Sequence, residues 1–170
     1  MNAQQRRTIL FETLQRASRP ISATTLAQQL GVSRQIIVGD IALLRAAGTD
    51  ICATPRGYVI VHSAPGLNHR VACRHASDQM AQELHTMIDC GCTILDVIVE
   101  HPIYGQLTGP LQLSSHADVE LFLTRCASQS AQPLSLLTEG IHLHTLSCPD
   151  AAALANVQEK LSQAGFLLAD

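Results

Sequence analysis

The segment Leu30-Gly31-Val32-Ser33 constrains the fold more than any other stretch of the chain. It separates two helical patterns and carries both signals of a tight helix-to-helix turn. Gly31 stands where a helix ends in a left-handed residue. Ser33 stands where the next helix needs a side-chain acceptor for its first amides. Before the turn, residues 23–30 follow Ser22 and place Leu26, Ala27 and Leu30 on one stripe. After it, residues 34–47 repeat Ile37, Ile41 and Leu44 at i, i+4 and i+7, and stop at Gly48. A first helix over residues 4–17 aligns Ile9, Leu10 and Leu14 and breaks at Arg19-Pro20. Beyond the third helix, residues 51–53 and 58–61 alternate like strands around Thr54-Pro55-Arg56-Gly57, which predicts a two-stranded wing. The spacing therefore predicts a winged helix-turn-helix over residues 1–62.

Residues 62–68 contain Pro65-Gly66 and predict a linker. A second domain, 69–170, follows. It alternates a strand at 70–74, a helix capped by Ser77 with Met80, Leu84, Met87 and Ile88 on one stripe, and a buried strand at 93–99. Next come a strand region at 107–113 broken by Gly109-Pro110, a helix capped by Ser115, and strand-like runs at 134–137 and 141–146. A helix capped by Asp150 completes the pattern. The whole is an α+β chain whose second domain is an α/β sandwich, with helices on a sheet. Aromatic residues make up only 3% of the sequence, so the core must be aliphatic. No apolar run approaches the ~20 residues that span a bilayer, and the polar N-terminus is unlike a signal peptide. Both points lead to the expectation of a cytoplasmic protein without a membrane partner. The six cysteines follow no regular spacing and are expected to be small buried hydrophobes, with the close pair Cys90-Gly91-Cys92 outside the usual zinc spacing.

Net charge is −3, but its distribution is uneven. Residues 1–61 hold seven arginines against three acids, a balance of +4; residues 62–170 hold four basic residues against eleven acids, a balance of −7. A basic head on an acidic body predicts that only the head meets a polyanion. The third helix has the form of a recognition helix, with Ile37, Ile41 and Leu44 turned inward and Gln35, Gly39 and Ala42 outward. Gln35 has the donor and acceptor that match adenine N6 and N7 in the major groove. Arg34, just after Ser33, can reach a phosphate or a guanine. Gly39 costs about 1 kcal/mol against alanine inside a helix, and its outward position suggests close approach of backbone to DNA. Arg56 at the wing tip suits a phosphate or a narrow minor groove. The expected partner is operator DNA, read by Ser33, Arg34, Gln35, Gly39 and Arg56. A protein-docking module is the other use of such a head.

All eight histidines lie at or beyond residue 62. His142 and His144 are two apart on a strand, so they project from one face about 7 Å apart. His75 ends a strand, and Glu83 borders the apolar stripe of the following helix, while His85 points to the opposite side. Three imidazoles and a carboxylate suit one divalent transition metal, Zn, Fe, Co, Ni or Mn, with positions left open on an octahedral ion. The same His-x-His pair also arises from one core histidine beside one exposed one.

Two resemblances cover nearly the whole chain. Residues 6–61 resemble the helix-turn-helix of biotin-ligase-type repressors. The stretches at 75–84, Ile94-Leu95-Asp96-Val97-Ile98-Val99-Glu100-His101-Pro102-Ile103-Tyr104-Gly105 and Gly140-Ile141-His142-Leu143-His144-Thr145 resemble the three-histidine domain of nicotinate-responsive repressors of NAD biosynthesis and niacin uptake. The resemblance implies metal ligation by His75, Glu83, His142 and His144, nicotinic acid as co-repressor, and a homodimer. It also makes His101 and Tyr104 candidates for the effector pocket. Gly39 departs from the polar residue more usual there, which leaves the operator sequence open.

The leading expectation is thus a repressor and not an enzyme, with no catalytic residues. The runner-up is a small metal-dependent hydrolase of a pyridine compound fused to a helix-turn-helix. The sequence offers it neither an evident base nor a serine nucleophile motif. A purely structural metal in a dimerisation domain is the third reading.

Overall fold

The computed structural model describes residues 1–60, 67–129 and 132–168. The chain divides into two compact units, Met1–Ala64 and Pro65–Asp170. The first runs α1 (Ala3–Arg16), α2 (Ala23–Leu30), α3 (Arg34–Ala46), β1 (Ile51–Thr54) and β2 (Gly57–Ile60). Each helix starts on a side-chain cap. Asn2 and Gln5 exchange side-chain-to-amide hydrogen bonds at the start of α1, and Ser22 and Ser33 accept from the amides of Thr25 and Ile36. Gly31 ends α2 at φ 64°, the left-handed conformation that a tight turn into α3 demands. Leu10, Leu14, Leu26, Ile37, Ile41 and Ile51 form the core, each fully buried leucine or isoleucine contributing about 1.5–3 kcal/mol. β1 and β2 pair antiparallel as the wing. The wing is pinned to the α1–α2 connection by two backbone hydrogen bonds of 2.9 Å between Ile21 and Tyr58. A Cβ on Gly57 would lie 2.3 Å from the Ile21 carbonyl oxygen, so only glycine lets the wing come this close.

The second unit contains β3 (Leu67–Arg74), α4 (Met80–Asp89), β4 (Thr93–His101), β5 (Gly105–Leu113), α5 (His116–Ser128), β6 (Ile141–Cys148) and α6 (Ala151–Gln163). Its four-stranded antiparallel sheet has the order β3-β6-β4-β5. Alternate residues Val71 and Cys73 of β3, Leu146 and Cys148 of β6, and Leu111 and Leu113 of β5 share one core. Leu84 and Met87 of α4, Val119 of α5, and Val157 and Leu161 of α6 complete it, so the helices cover one face of the sheet. The mixed helix-and-sheet architecture matches the expectation.

Several local features differ from the sequence reading. β3 begins at Leu67 and not near residue 70. Its first four residues are exposed and show no alternation, yet the ladder to β6 holds them. The remainder of the expected linker, residues 62–66, and Val61 of the expected wing strand lie outside the described residues. Ser77 does not cap α4; it lies in a 3₁₀ turn, Ser77–Gln79, where the Gln79 side chain accepts the Ala76 amide at 3.1 Å. Gly109-Pro110 does not break β5. That strand is an edge, where a missing N–H leaves no partner unmet, and Pro110 sits opposite Asp96 beside a bulge in β5, where Gln112 takes φ 53°. Residues 134–137 are not a strand but part of a 3₁₀ helix, Leu134–Thr138, that follows Pro133. Short apolar runs do not distinguish these states by periodicity.

Candidate metal centre and DNA-reading face

β3 and β6 run antiparallel with Cys73 opposite His142 and Val71 opposite His144. The period of two places Cys73, His142 and His144 on the helix-covered face of the sheet, with His75 just past the end of β3. From above, α4 delivers Glu83, which is fully buried one position before the core residue Leu84. The four expected ligands meet here. His75 Nε2 lies 2.7 Å from Glu83 Oε2, His142 Nε2 3.1 Å from Oε1 and His144 Nε2 3.5 Å from Oε2. Neighbouring imidazole rings are 4.9 Å apart, centre to centre, and nearly perpendicular.

Two backbone details bring the ligands together. Gly140 has φ 87°, and a Cβ there would lie 2.3 Å from the His75 carbonyl oxygen. Without a side chain, the start of β6 passes close against His75. Between Ile94 and Ile98, β4 carries one residue more than the facing stretch of β6, and within this bulge the Asp96 side chain accepts the Thr145 amide at 2.9 Å. Phe166 packs edge-on against the His75 ring.

The second nitrogen of each ring is decisive. His75 Nδ1 is 2.7 Å from the Ala76 carbonyl, His142 Nδ1 2.8 Å from that of Gly140, and His144 Nδ1 2.7 Å from that of Asp96. Each carbonyl accepts an N–H, so each ring carries a proton on Nδ1 and aims Nε2 at Glu83. Backbone carbonyls commonly fix metal-binding histidines in this way. At Nε2 each ring then needs either a second proton or a cation. One divalent cation meets the need of all three rings without burying three imidazolium charges. Burial opposes a charge on Glu83, but hydrogen bonds from His142, His144 and His75 outweigh it and hold the carboxyl well below the usual carboxylate range. For His75, burial acts downward, and the hydrogen bond and charge of Glu83 overcome it to raise the imidazole above its ordinary value.

The sequence reading missed Cys73. Its thiol, Glu83 and His142 place ligand atoms within 4.8 Å of one another, all buried. Burial and the adjacent Glu83 charge push this thiol well above its ordinary value. The signal was available: Cys73 and His75 are two apart at the end of β3, just as His142 and His144 are two apart on β6. The cluster is compatible with metal binding.

A cleft of about 600 Å³ opens beside the cluster, lined by His142, His101, Pro102, Thr138, Ile141 and Val99, among others. This is the size of small-molecule sites. No arginine or lysine is among the described residues that line it. Tyr104 is not in this lining. It is exposed at the β4–β5 tip, where its ring lies 5.0 Å from that of His101 and its amide donates to His101 Nδ1. His85, on the opposite side of α4 from Glu83, is half-buried and bonded to His116 and Glu120.

In the first unit, Arg34, Gln35, Gly39 and Ala42 share the exposed side of α3, while Ile37 and Ile41 are buried beneath. Ser33 caps the helix. Arg56 is half-buried in the wing turn, its amide donating to Thr54 Oγ1. A Cβ at Gly39 would meet nothing within 4 Å, so packing within the chain does not demand glycine. Asp40 is buried and draws in two arginines: Arg6 Nε at 2.5 Å and Arg7 at 3.6 Å. Those two belong in part to the fold, so the basic head is narrower than its sequence charge.

A capped helix-turn-helix with a wing, followed by a unit holding a buried histidine–carboxylate cluster, is the architecture of a DNA-binding regulator. Residues 68–170 match the family model described as the 3H domain, and residues 6–59 match an HTH domain. The chain is 40% identical over 165 residues to "Probable transcription repressor NiaR" of Thermotoga maritima, covering 97% of this chain and 94% of the relative. It is 38% identical over 169 residues to "Transcription repressor NadR" of Bacillus subtilis, with the same coverage of each. The chain belongs to this 3H-domain family of helix-turn-helix transcription repressors, and is not an enzyme. Among the described residues, no helix is long and apolar enough to cross a membrane.

Proposed function

We propose that the chain is a metal-dependent repressor of genes for NAD biosynthesis or niacin transport, acting in the cytoplasm as a homodimer with nicotinic acid as co-repressor. One observation carries the reading: three imidazoles, each with its Nδ1 proton spent on a backbone carbonyl, converge their Nε2 atoms on Glu83 beside an open cleft. His75, Glu83, His142 and His144 would hold one divalent transition ion, Zn, Ni, Fe, Co or Mn. When bound, the ion supplies a fixed positive charge for a carboxylate in a cleft whose described lining has no basic side chain. His142 borders both the cluster and the cleft, so it links the two. His101 shapes the cleft wall. Tyr104, at the exposed tip, supports His101 through the hydrogen bond from its amide.

The DNA reading rests on α3 and the wing. Gln35 reads a base edge, Arg34 and Arg56 engage phosphates or a guanine, Ser33 holds the helix start, and Gly39 admits the DNA backbone. The acidic second unit adds no attraction for DNA, so the effector acts through the spacing of two recognition helices, about 34 Å apart in a dimer. A ligand shifts that equilibrium only by its differential affinity for the two arrangements.

A gel-shift titration of metal-loaded protein tests this reading. Nicotinate should tighten operator binding by about 5–150-fold, a usual range of allosteric coupling. The His142→Ala, His144→Ala double variant should show no response. An equal response with and without metal would show that the ion is structural and not part of the effector site.

A further inference from the structure

A second group of histidines and carboxylates lies on the outer side of the helix layer. Two adjacent helices each carry a histidine four residues before a carboxylate: His85 and Asp89 on α4, His116 and Glu120 on α5. The pairs bond crosswise. His85 Nε2 is 2.6 Å from Glu120 Oε1, and His116 Nε2 is 2.9 Å from Asp89 Oδ1. The rings stack with centroids 4.8 Å apart and planes 28° apart. Their Nδ1 atoms face each other at 2.6 Å.

The order of the contacts orients both rings. A carboxylate accepts, so each Nε2 carries the proton. In the neutral ring that leaves Nδ1 as a lone pair. Two lone pairs 2.6 Å apart repel unless a shared proton or a metal ion lies between them. The two Nε2–H···carboxylate bonds are also the outer contacts that orient metal-binding imidazoles and raise their basicity. We infer that His85 and His116 form a second metal site, a solvent-open bis-imidazole clamp for a divalent transition ion such as zinc, nickel or copper. Asp89 and Glu120 are its positioning residues.

At usual metal–nitrogen distances of about 2.0–2.1 Å, the two Nδ1 atoms need to part to roughly 3 Å. Side chains that are 27% and 54% exposed have room for that. Solvent fills the remaining positions. The site is separate from the buried cluster: His85 and Glu83 sit on opposite sides of α4, one outward to α5 and the other toward the sheet. An ion here clamps α4, the helix that carries Glu83, to α5. Because it binds the folded pair and not the unfolded chain, it raises stability by mass action.

The test uses the untagged full chain, stripped with chelator and titrated with Ni²⁺ and Zn²⁺, with bound metal counted by elemental analysis. Wild type should take two ions per chain. The His85→Gln, His116→Gln double variant should take one, with an unchanged far-ultraviolet dichroism spectrum because neither side chain belongs to the apolar core. The His142→Ala, His144→Ala variant should keep one weaker ion. On it, a Cu²⁺ probe should show hyperfine splitting from two imidazole nitrogens. Asp89→Asn should keep the second ion but weaken it by about 10- to 100-fold. Should the buried-site variant fail to fold, the comparison of wild type with the surface variant decides alone. Equal metal content in those two overturns the inference. Loss confined to the buried-site variant leaves only the buried centre.

Discussion

Gln35 on α3 and His142 on β6 stand at opposite extremes of burial. Gln35 is exposed, held only by the helix beneath it, and keeps every hydrogen-bonding group available to a partner. His142 is 2% exposed and has both ring nitrogens committed. Apart from the buried Asp40 and its two arginines, the first unit builds an aliphatic core and presents its polar residues outward, so its fold and its candidate DNA-reading face draw on different side chains. The second unit puts polar side chains inside its own core, next to Leu84 and Cys73. There, stability and ligand chemistry depend on the same residues, and one substitution disturbs both.

The most severe way to test this contrast is Glu83→Ala. It removes the acceptor shared by three buried imidazoles, and breaking a buried ion pair costs roughly 3–5 kcal/mol. Urea unfolding followed by a probe in the second unit should register that loss. A variant as stable as wild type would falsify the view that Glu83 holds the cluster together.

Gln35→Ala is the counterpart in the first unit. It should leave unfolding unchanged and weaken specific operator binding by about 1–3 kcal/mol, the value of one bidentate base contact. An equal loss on random duplex DNA would show that Gln35 reads no base.

Gly39→Ala should move the two properties in opposite directions. Alanine stabilises an exposed helix interior by about 0.5–1 kcal/mol, and a Cβ here meets nothing in the chain. If DNA backbone approaches at Gly39, operator affinity falls while the melting temperature rises. If affinity and stability rise together, the glycine has no part in DNA approach.

The smallest effect is expected at the β4–β5 tip. Ile103 is 80% exposed. Ile103→Ser should change monomer stability by less than about 0.5 kcal/mol, as surface substitutions usually do. A larger loss, dependent on protein concentration, would place the tip in a dimer interface.

What could be read from the sequence follows the same division. The three helices, the serine caps of α2 and α3, and Gly31 were legible because capping and the 3.6-residue period are local properties. So were the caps Ser115 and Asp150 of α5 and α6, and the face shared by His142 and His144. The exposed start of β3 was not legible, since its four residues pair only because β6 lies beside them. The 3₁₀ helix Leu134–Thr138 shows the same limit, because its apolar run fits strand and helix alike.

The sequence by itself determined which residues could act: a glutamine and arginines at a helix start, and three histidines with a carboxylate. Helical and strand periods set which side of an element each one faces. Only the tertiary structure decided which of them meet. Cys73 joins His142 because β3 pairs with β6, and Gly140 brings His142 against His75 because nothing else fits beneath that carbonyl. His85 and His116 are 31 residues apart and come together only where α4 packs on α5. The reason is physical: a period is fixed by bonds between near neighbours, whereas convergence on one point depends on the register and packing of distant segments.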